Sequence, residues 1–204
     1  MTIYSHRGDL PEGVDFGSAV AIDTETMGLN PHRDRLCAVQ LSAGDGSAHV
    51  VQILTGQTKA SNLVKLLKNR KVTKIFHVAR FDLAVLDHHL GVVTGPIYCT
   101  KIASRLVRTF TDRHGLKDLV KELLGIELSK QQQSSDWGAD QFTEAQLAYA
   151  ASDVLHLHQL RVKLDVMLAR EGRSAIAEDC FRFLPTRAKL DLLGWPEQDI
   201  FAHS

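Results

Sequence analysis

The sequence AVAIDTET at residues 19–26 decides the class of fold. Its apolar and β-branched residues predict a strand from Ala19 to Thr24, and two acidic residues stand at the end of that strand. Asp23 and Glu25 are two positions apart, so a strand directs both carboxylates to one face. Such a pair shares a proton, binds a metal ion or belongs to a solvated surface. The Asp-x-Glu pattern therefore becomes informative only through the residues that accompany it.

The segments around this strand alternate between strand and helix signals. Alternating or β-branched runs, separated by glycine and proline, predict further strands at Leu36 to Ser42, His49 to Ile53, Lys74 to Val78 and Ile97 to Thr100. Apolar residues at helical spacing predict helices at Asn62 to Lys68 with a Ser61 cap, Arg80 to Leu90, Leu116 to Leu124, and one long helix through Ala169 that a Thr143–Gln146 capping box opens. The pattern predicts an α/β fold, with a mixed central sheet flanked by helices and a helical C-terminal part.

The chain length of 204 residues suits one compact domain with additions at its ends. We expect an N-terminal segment at 1–18, the folded domain at 19–170 and a helical tail at 171–204. Apolar residues in the tail predict that it packs on the domain or in an oligomer interface. They are Phe183, Leu184, Leu192, Leu193, Trp195 and Phe201.

Composition excludes several classes of protein. The 24 acidic and 24 basic residues cancel, so no overall positive field attracts nucleic acid and any polyanion site must be local. The three cysteines lack the C-x-x-C spacing of a zinc site or redox pair, which predicts reduced thiols. Residues 1–11 contain no long apolar stretch, so we expect no signal peptide, no membrane association and a cytoplasmic location.

Three more residues join the acidic pair as candidates. Asp82 follows the predicted strand at Lys74 to Val78 and begins a helix, where binding free backbone N–H groups is the alternative to a metal. Tyr149 and Asp153 are four residues apart on the long helix, so the phenol and the carboxylate share one face. Small and apolar neighbours surround them. A charged group among such neighbours needs a compensating partner, and a metal ion is a sufficient one.

Taken together, these residues resemble the three exonuclease motifs of the ribonuclease D-like proteins. The motifs are Asp23-Thr24-Glu25, the segment His77 to Asp82, and Tyr149-x-x-x-Asp153, with further similar segments at Leu116 to Leu119 and Ser134 to Trp137. The histidine-containing class would have histidine at position 148, which is alanine here, so the resemblance is to the tyrosine class. It implies a ribonuclease H-like exonuclease fold, a 3′-5′ exonuclease domain at 19–170, and release of nucleoside 5′-monophosphates.

The resemblance also implies a two-metal mechanism. Asp23, Glu25 and Asp153 are expected to bind one ion, and Asp23 with Asp82 the other. All-oxygen ligands suit Mg²⁺ or Mn²⁺. Tyr149 is expected to orient the attacking water, because a phenol with a pKa of about 10 is a poor base near neutrality.

Residues 23–31 and the compact length look closest to nano-RNase C, an alphaproteobacterial family that clears very short RNA. This resemblance implies short single-stranded RNA as the substrate and a homo-oligomer such as an octameric ring. Leu29 resembles a wedge between two bases, with a buried turn leucine as the alternative. Phe81 and Trp137 either stack on bases or lie in the core, and Lys130 and Ser135 either bind a 5′ phosphate or belong to a solvated loop. The expected substrate-binding residues are Thr26, Met27, Leu29, His77, Phe81, Lys130, Ser135 and Trp137.

Three alternative functions remain open from the sequence. A DNA exonuclease would use the same carboxylates, and no residue that reads a 2′-hydroxyl can be identified. A transfer-RNA 3′-end trimming enzyme is the second, although the chain has no room for the helical nucleic-acid-binding domains of ribonuclease D. The third is a noncatalytic nucleic-acid-binding module, in which loss of a metal ligand would be expected.

Overall fold

The computed structural model describes residues 1–92, 95–129, 131–132 and 134–203. Within these residues six strands and seven helices follow one another. They are β1 (Thr2–Arg7), β2 (Ala19–Thr26), β3 (Leu36–Ser42), β4 (Ser47–Gln52), α1 (Ser61–Lys68), β5 (Thr73–Phe76), α2 (Ala79–Leu90), β6 (Ile97–Cys99), α3 (Thr100–Val107), α4 (Leu116–Leu124), α5 (Glu144–Leu155), α6 (Leu157–Arg170) and α7 (Ser174–Leu192).

The strands form one six-stranded sheet in the order β1-β4-β3-β2-β5-β6. Strands β2, β3 and β4 pair antiparallel, whereas β1 with β4, β2 with β5, and β5 with β6 pair parallel. The prediction of a mixed sheet flanked by helices is confirmed. Strand β2 lies inside the sheet, so it has a neighbouring strand on each side.

Strand β1 was not predicted, because the N-terminal segment was interpreted only as polar. It forms the edge of the sheet, and four of its six residues are exposed. Ile3 is its one aliphatic residue, so no alternating apolar pattern marks the strand in the sequence. Its conformation depends on pairing with β4, more than 40 residues away along the chain.

The predicted cap of α1 was wrong. Ser61 is the first residue of the helix, and the N-cap residue Ala60 makes no side-chain cap. The carboxylate of Asp9 takes that place, since it accepts hydrogen bonds of 2.9 Å from the backbone N–H groups of Asn62 and Leu63. A carboxylate at a helix N-terminus compensates the free donors of the first turn. The cap therefore comes from a distant segment.

The prediction of one long helix through Ala169 was also wrong, because the helix is interrupted at His156. The capping box of Thr143 and Gln146 at its start is confirmed. No glycine or proline marks the interruption, so helical spacing continues through it in the sequence.

Helix α3 was not predicted from the sequence. Helix α7 extends past Pro185 and packs against α2, so the first part of the apolar tail is a packed helix.

The elements that matter for function meet at the carboxyl end of β2. Helix α5 packs across β2, β3 and β4 on one face of the sheet, and α2 follows β5 beside them. A break in register between Glu25 and Thr26 changes the direction of the chain as it leaves β2. Within the described ranges, no helix has the length and apolar character needed to cross a membrane.

Candidate active site

Three carboxylates converge where β2 ends. Asp23 and Glu25 project from one face of the strand, and Asp153 projects toward them from α5, which covers that face. Each offers a ligand oxygen, and these oxygens lie within 4.8 Å of one another. All three residues are half-buried. The spacing suits a hard cation with oxygen ligands.

Asp82 lies beside this group in the first turn of α2. Its side chain is buried, and the hydroxyl of Thr24 donates it a hydrogen bond of 2.7 Å. Thr24 stands between the two acids of β2, so the bond ties Asp82 to the same strand end. The prediction that the four acids come together is consistent with this arrangement, although Asp82 does not belong to the group of three.

Burial raises the pKa values of all four acids, and neighbouring acids add to this effect for Glu25, Asp82 and Asp153. Burial raises the pKa of Asp23 to about 7 and, with help from Asp23, that of Asp153 to about 8. Burial and the neighbouring Asp23, Asp153 and Asp82 raise the pKa of Glu25 to about 9. The pKa of Asp82 is also raised, first by burial and then by Asp23. Four acids that resist ionisation together are a fitting environment for divalent cations, which remove the repulsion.

Tyr149 lies one turn before Asp153 on α5, as predicted. Its hydroxyl hydrogen-bonds the Asp153 carboxylate, which partly offsets the rise in the pKa of that acid. Burial, followed by Asp153, Glu25 and Asp23, raises the pKa of Tyr149 above its ordinary value. The side chain therefore remains a neutral phenol.

A cleft of about 690 Å³ opens beside the acids. This volume lies in the range of small-ligand sites, about 300 to 1,000 Å³. It is lined by seven of the eight predicted substrate-binding residues: Thr26, Met27, Leu29, His77, Phe81, Ser135 and Trp137. Lys130 lies outside the described residues.

Leu29 stands at the rim of the cleft with 84% of its surface exposed, so the alternative of a buried turn leucine is wrong. Asp34 stabilises the loop that carries Leu29, because its carboxylate accepts a hydrogen bond of 2.9 Å from the backbone N–H of Asn30. Gly28 is required there, because a Cβ at this position would lie 2.3 Å from an oxygen of Asp34. The leucine is thus held outward by a compact turn.

The aromatic and histidine side chains that line the cleft are more buried than Leu29. Trp137 is only 3% exposed and packs with Ala38, Val50 and Ala150, which favours the core interpretation over base stacking. Phe81 is half-buried. His77 is buried, its Nδ1 lies 2.8 Å from the hydroxyl of Thr100, and burial lowers its pKa to about 3. The imidazole is therefore neutral.

Sequence reasoning missed two lysines that line the cleft. Lys101 lies in the first turn of α3 and Lys117 in the first turn of α4. Neither forms an ion pair within the described part of the chain. They supply positive charge within a cleft that is otherwise acidic, in a protein with no net charge. Lys117 belongs to a segment noted for its resemblance, but no pattern in the sequence marks Lys101.

The chain matches the 3′-5′ exonuclease family over residues 9–169. It is 38% identical to the ribonuclease D of Gluconacetobacter diazotrophicus over 154 residues, which are 76% of this chain and 39% of that protein. It is 36% identical to the ribonuclease D of Acidiphilium cryptum over 157 residues, again 39% of the relative. The chain thus spans well under half of the length of these relatives.

Solved structures extend the similarity to the whole chain. The structure of Brucella melitensis NrnC with bound Mg²⁺ is 62% identical, with a TM-score of 0.96 over 100% of both chains. The same protein bound to pGG is 63% identical, with a TM-score of 0.97 over the same extent. Escherichia coli RNase D is 29% identical, with a TM-score of 0.74 over 84% of this chain and 45% of that one. The predicted resemblance and exonuclease fold are confirmed. The acidic cluster could hold a metal ion, as the predicted divalent cations require, and the Brucella relative binds Mg²⁺.

Proposed function

Because this chain belongs to the 3′-5′ exonuclease family, we propose that it hydrolyses very short single-stranded RNA, dinucleotides above all, and releases nucleoside 5′-monophosphates. One observation carries the proposal. The convergent carboxylates stand at one side of a small cleft whose rim presents the exposed Leu29. A cleft of this size suits a ligand of a few nucleotides better than a long strand.

Each catalytic residue has a role that its position supports. Asp23, Glu25, Asp82 and Asp153 would hold two divalent cations, Mg²⁺ or Mn²⁺. When bound, such ions stabilise the entering and departing oxygens of a displacement at phosphorus. Tyr149, a neutral phenol hydrogen-bonded to Asp153, would position the attacking water without removing its proton.

Leu29 would separate or cover the bases of the substrate. Its exposed side chain borders the cleft, and the Asp34-centred turn holds it in place before substrate arrives. Met27 connects the same loop to the segment around Gly138, since it packs so closely there that a Cβ on Gly138 would lie 2.4 Å from the Met27 sulfur. An ordered apolar wedge binds bases without a large ordering cost.

The phosphate groups would meet the two lysines. Lys101 and Lys117 lack ion-pair partners among the described residues and line the cleft together with Ser135. A dinucleotide has few phosphates, so a local pair of cations suits it better than a long basic track. Lys130 stays a prediction from the sequence for the same role. The structure of Brucella melitensis NrnC, which is 63% identical and has pGG bound, is consistent with this proposal.

Digestion of matched RNA and DNA tests the function directly. We expect 5′-labelled RNA of two nucleotides to be cleaved faster than RNA of five, ten or twenty nucleotides in the presence of Mg²⁺. Equal rates for all lengths would reject the dinucleotide preference and leave a general exonuclease. Faster cleavage of DNA, or selective trimming of a transfer-RNA 3′ end, would support one of the two alternative substrates.

We also propose a cytoplasmic homo-oligomer, with an octameric ring as the specific form. Val162 and Val166 lie one turn apart on α6 and are 65% and 66% exposed, and Ile176 on α7 is 54% exposed. Such apolar surface on helices is more stable when a second subunit covers it. In the tail, Leu184 is buried, whereas Leu193 and Phe201 remain largely exposed. Light scattering that reports a 22.6 kDa monomer at micromolar concentration would reject the assembly.

A further inference from the structure

Gln40 on β3 is buried without any visible reason for its polarity. None of its surface is exposed, and neither amide atom, Nε2 or Oε1, has a hydrogen-bond partner among the described residues. A buried amide without partners destabilises a protein, whereas an apolar side chain of the same size would not. Such a residue calls for a physical explanation.

The sheet register places Gln40 directly opposite Asp23. The two residues are paired across β2 and β3, so their side chains lie on the same face, beneath α5. On its other side Gln40 is paired with Val50 of β4. The buried residues of α5 on this layer include Ala150 and Ala151. Of the two residues paired with Gln40 on the neighbouring strands, Asp23 is therefore the polar one.

Asp23 differs from two other acids of the site in its hydrogen bonding. Asp82 accepts from the hydroxyl of Thr24 at 2.7 Å, and Asp153 interacts with the hydroxyl of Tyr149. Within the described ranges, no side-chain donor is bonded to Asp23, and burial is the cause of its raised pKa. The acid expected to contact both cations thus has no orienting partner, while an unused N–H donor stands beside it.

We propose that Gln40 is a positioning residue for Asp23. In the cation-loaded protein its Nε2–H group donates to one carboxylate oxygen of Asp23 and leaves the other free to face the cations. Partners of this kind orient metal ligands, and their removal typically weakens metal affinity about 10- to 100-fold. The inference rests on the proposed function, because it assumes that Asp23 is a metal ligand.

Gln52 offers a matched control on the same face of the sheet. It lies two residues beyond Val50 on β4, it is buried, and its Nε2 donates to the carbonyl of Ala139 at 2.9 Å. This glutamine therefore has a structural role. Replacing it by methionine removes a satisfied hydrogen bond, whereas the same change at Gln40 removes only unsatisfied groups in the metal-free protein.

The test compares Gln40→Met with Gln52→Met in the full chain. For each variant, calorimetry measures Mn²⁺ affinity, and a melting curve in EDTA measures stability without metal. We expect Gln40→Met to bind Mn²⁺ about tenfold or more weakly, with a metal-free melting temperature equal to or above that of the wild type. We expect Gln52→Met to melt lower and to bind Mn²⁺ as the wild type does.

Two results would overturn the inference. One is unchanged Mn²⁺ affinity in Gln40→Met. The other is a lower metal-free melting temperature in both Gln40→Met and Gln40→Leu, which would make Gln40 a structural residue. The nuclease assay of the wild type is a separate measurement: an inactive wild type would reject the proposed function, while the Mn²⁺ titrations would still decide the role of Gln40.

Discussion

The two sides of the cleft are built differently. Asp23, Asp82 and Asp153 stand on a central strand and two helices, are buried or half-buried, and are surrounded by packed elements. The rest of the lining, called the loop side, includes the exposed Leu29 on a loop and lysines at the starts of two short helices. Rigid elements hold reacting groups more accurately than loops, whereas loops vary without disturbing the core. We therefore expect substitutions in the first part to change catalysis and substitutions in the second to change substrate choice.

The largest effect is expected on the rigid side. Asp23→Asn and Asp153→Asn should abolish Mg²⁺-dependent nuclease activity, because each removes a charged ligand from the cluster. Both variants should fold, and their metal-free melting temperatures should rise as like-charge repulsion falls. Asp87→Asn on α2, outside the cleft, is the control and should keep wild-type activity. Near-normal turnover in either ligand variant would contradict the site assignment.

Tyr149→Phe tests whether orientation is separate from metal binding. The variant should lose about 10²- to 10⁴-fold in rate, the range typical of positioned acid, base or orienting groups. Calorimetry should show an unchanged affinity for Mn²⁺, because the carboxylates remain. A lost affinity combined with an unchanged rate at saturating metal would assign the hydroxyl to cation binding instead.

Leu29→Ala tests the loop side. We expect the preference for two-nucleotide over five-nucleotide RNA to fall about tenfold, corresponding to about 1.4 kcal/mol of lost base contact. Metal affinity and melting temperature should not change, since the side chain is exposed. Phe110→Ala removes a comparably exposed apolar side chain that does not line the cleft and serves as the control. The same length profile in both variants would remove Leu29 from substrate recognition.

The smallest effect concerns pH and the metal-free protein. Raised carboxyl pKa values mean that the folded state binds protons more tightly than the unfolded state, so the contribution of these acids to stability is fully present below their unfolded pKa values of about 4. It should decline as pH rises through the values of about 7, 8 and 9 for Asp23, Asp153 and Glu25. Melting temperatures in EDTA measure this decline from pH 7 to 9, above the range in which histidines with lowered pKa values, such as His77, change stability.

Saturating Mg²⁺ should reduce the decline, because bound cations favour the ionised carboxylates. Asp23→Asn should reduce it as well, since that variant lacks one of the titrating groups and lowers the repulsion on Glu25. A metal-free melting temperature that rises steadily from pH 7 to 9 would show that these carboxyl pKa values are not raised in the folded protein.

Local patterns were sufficient wherever the structure is locally determined. The strand that ends in Asp23 and Glu25, the pairing of Tyr149 with Asp153, and helix α4 from Leu116 to Leu124 all agree with the sequence analysis. Residue spacing alone specifies these features, because side-chain direction repeats every two residues in a strand and every 3.6 in a helix. The Gly125 end of α4, in the left-handed conformation, is equally local.

Other features follow from contacts between distant segments, which a single sequence does not express. Strand β1 exists through its pairing with β4, and the cap of α1 comes from Asp9. Lys101 reaches the cleft only because β6 places α3 beside it. None of these features produces a periodic pattern of residues, so the sequence does not predict them.

The sequence by itself determined the acids, the tyrosine and their order along three elements. Only the tertiary structure decided that Leu29 is exposed at the rim and that Gln40 lies unpartnered against Asp23. The exposure and the hydrogen bonds of a side chain depend on which strands pair beside it and which helix covers those strands. The type of a residue restricts its chemistry, but its surroundings are set by chain segments brought together in folding.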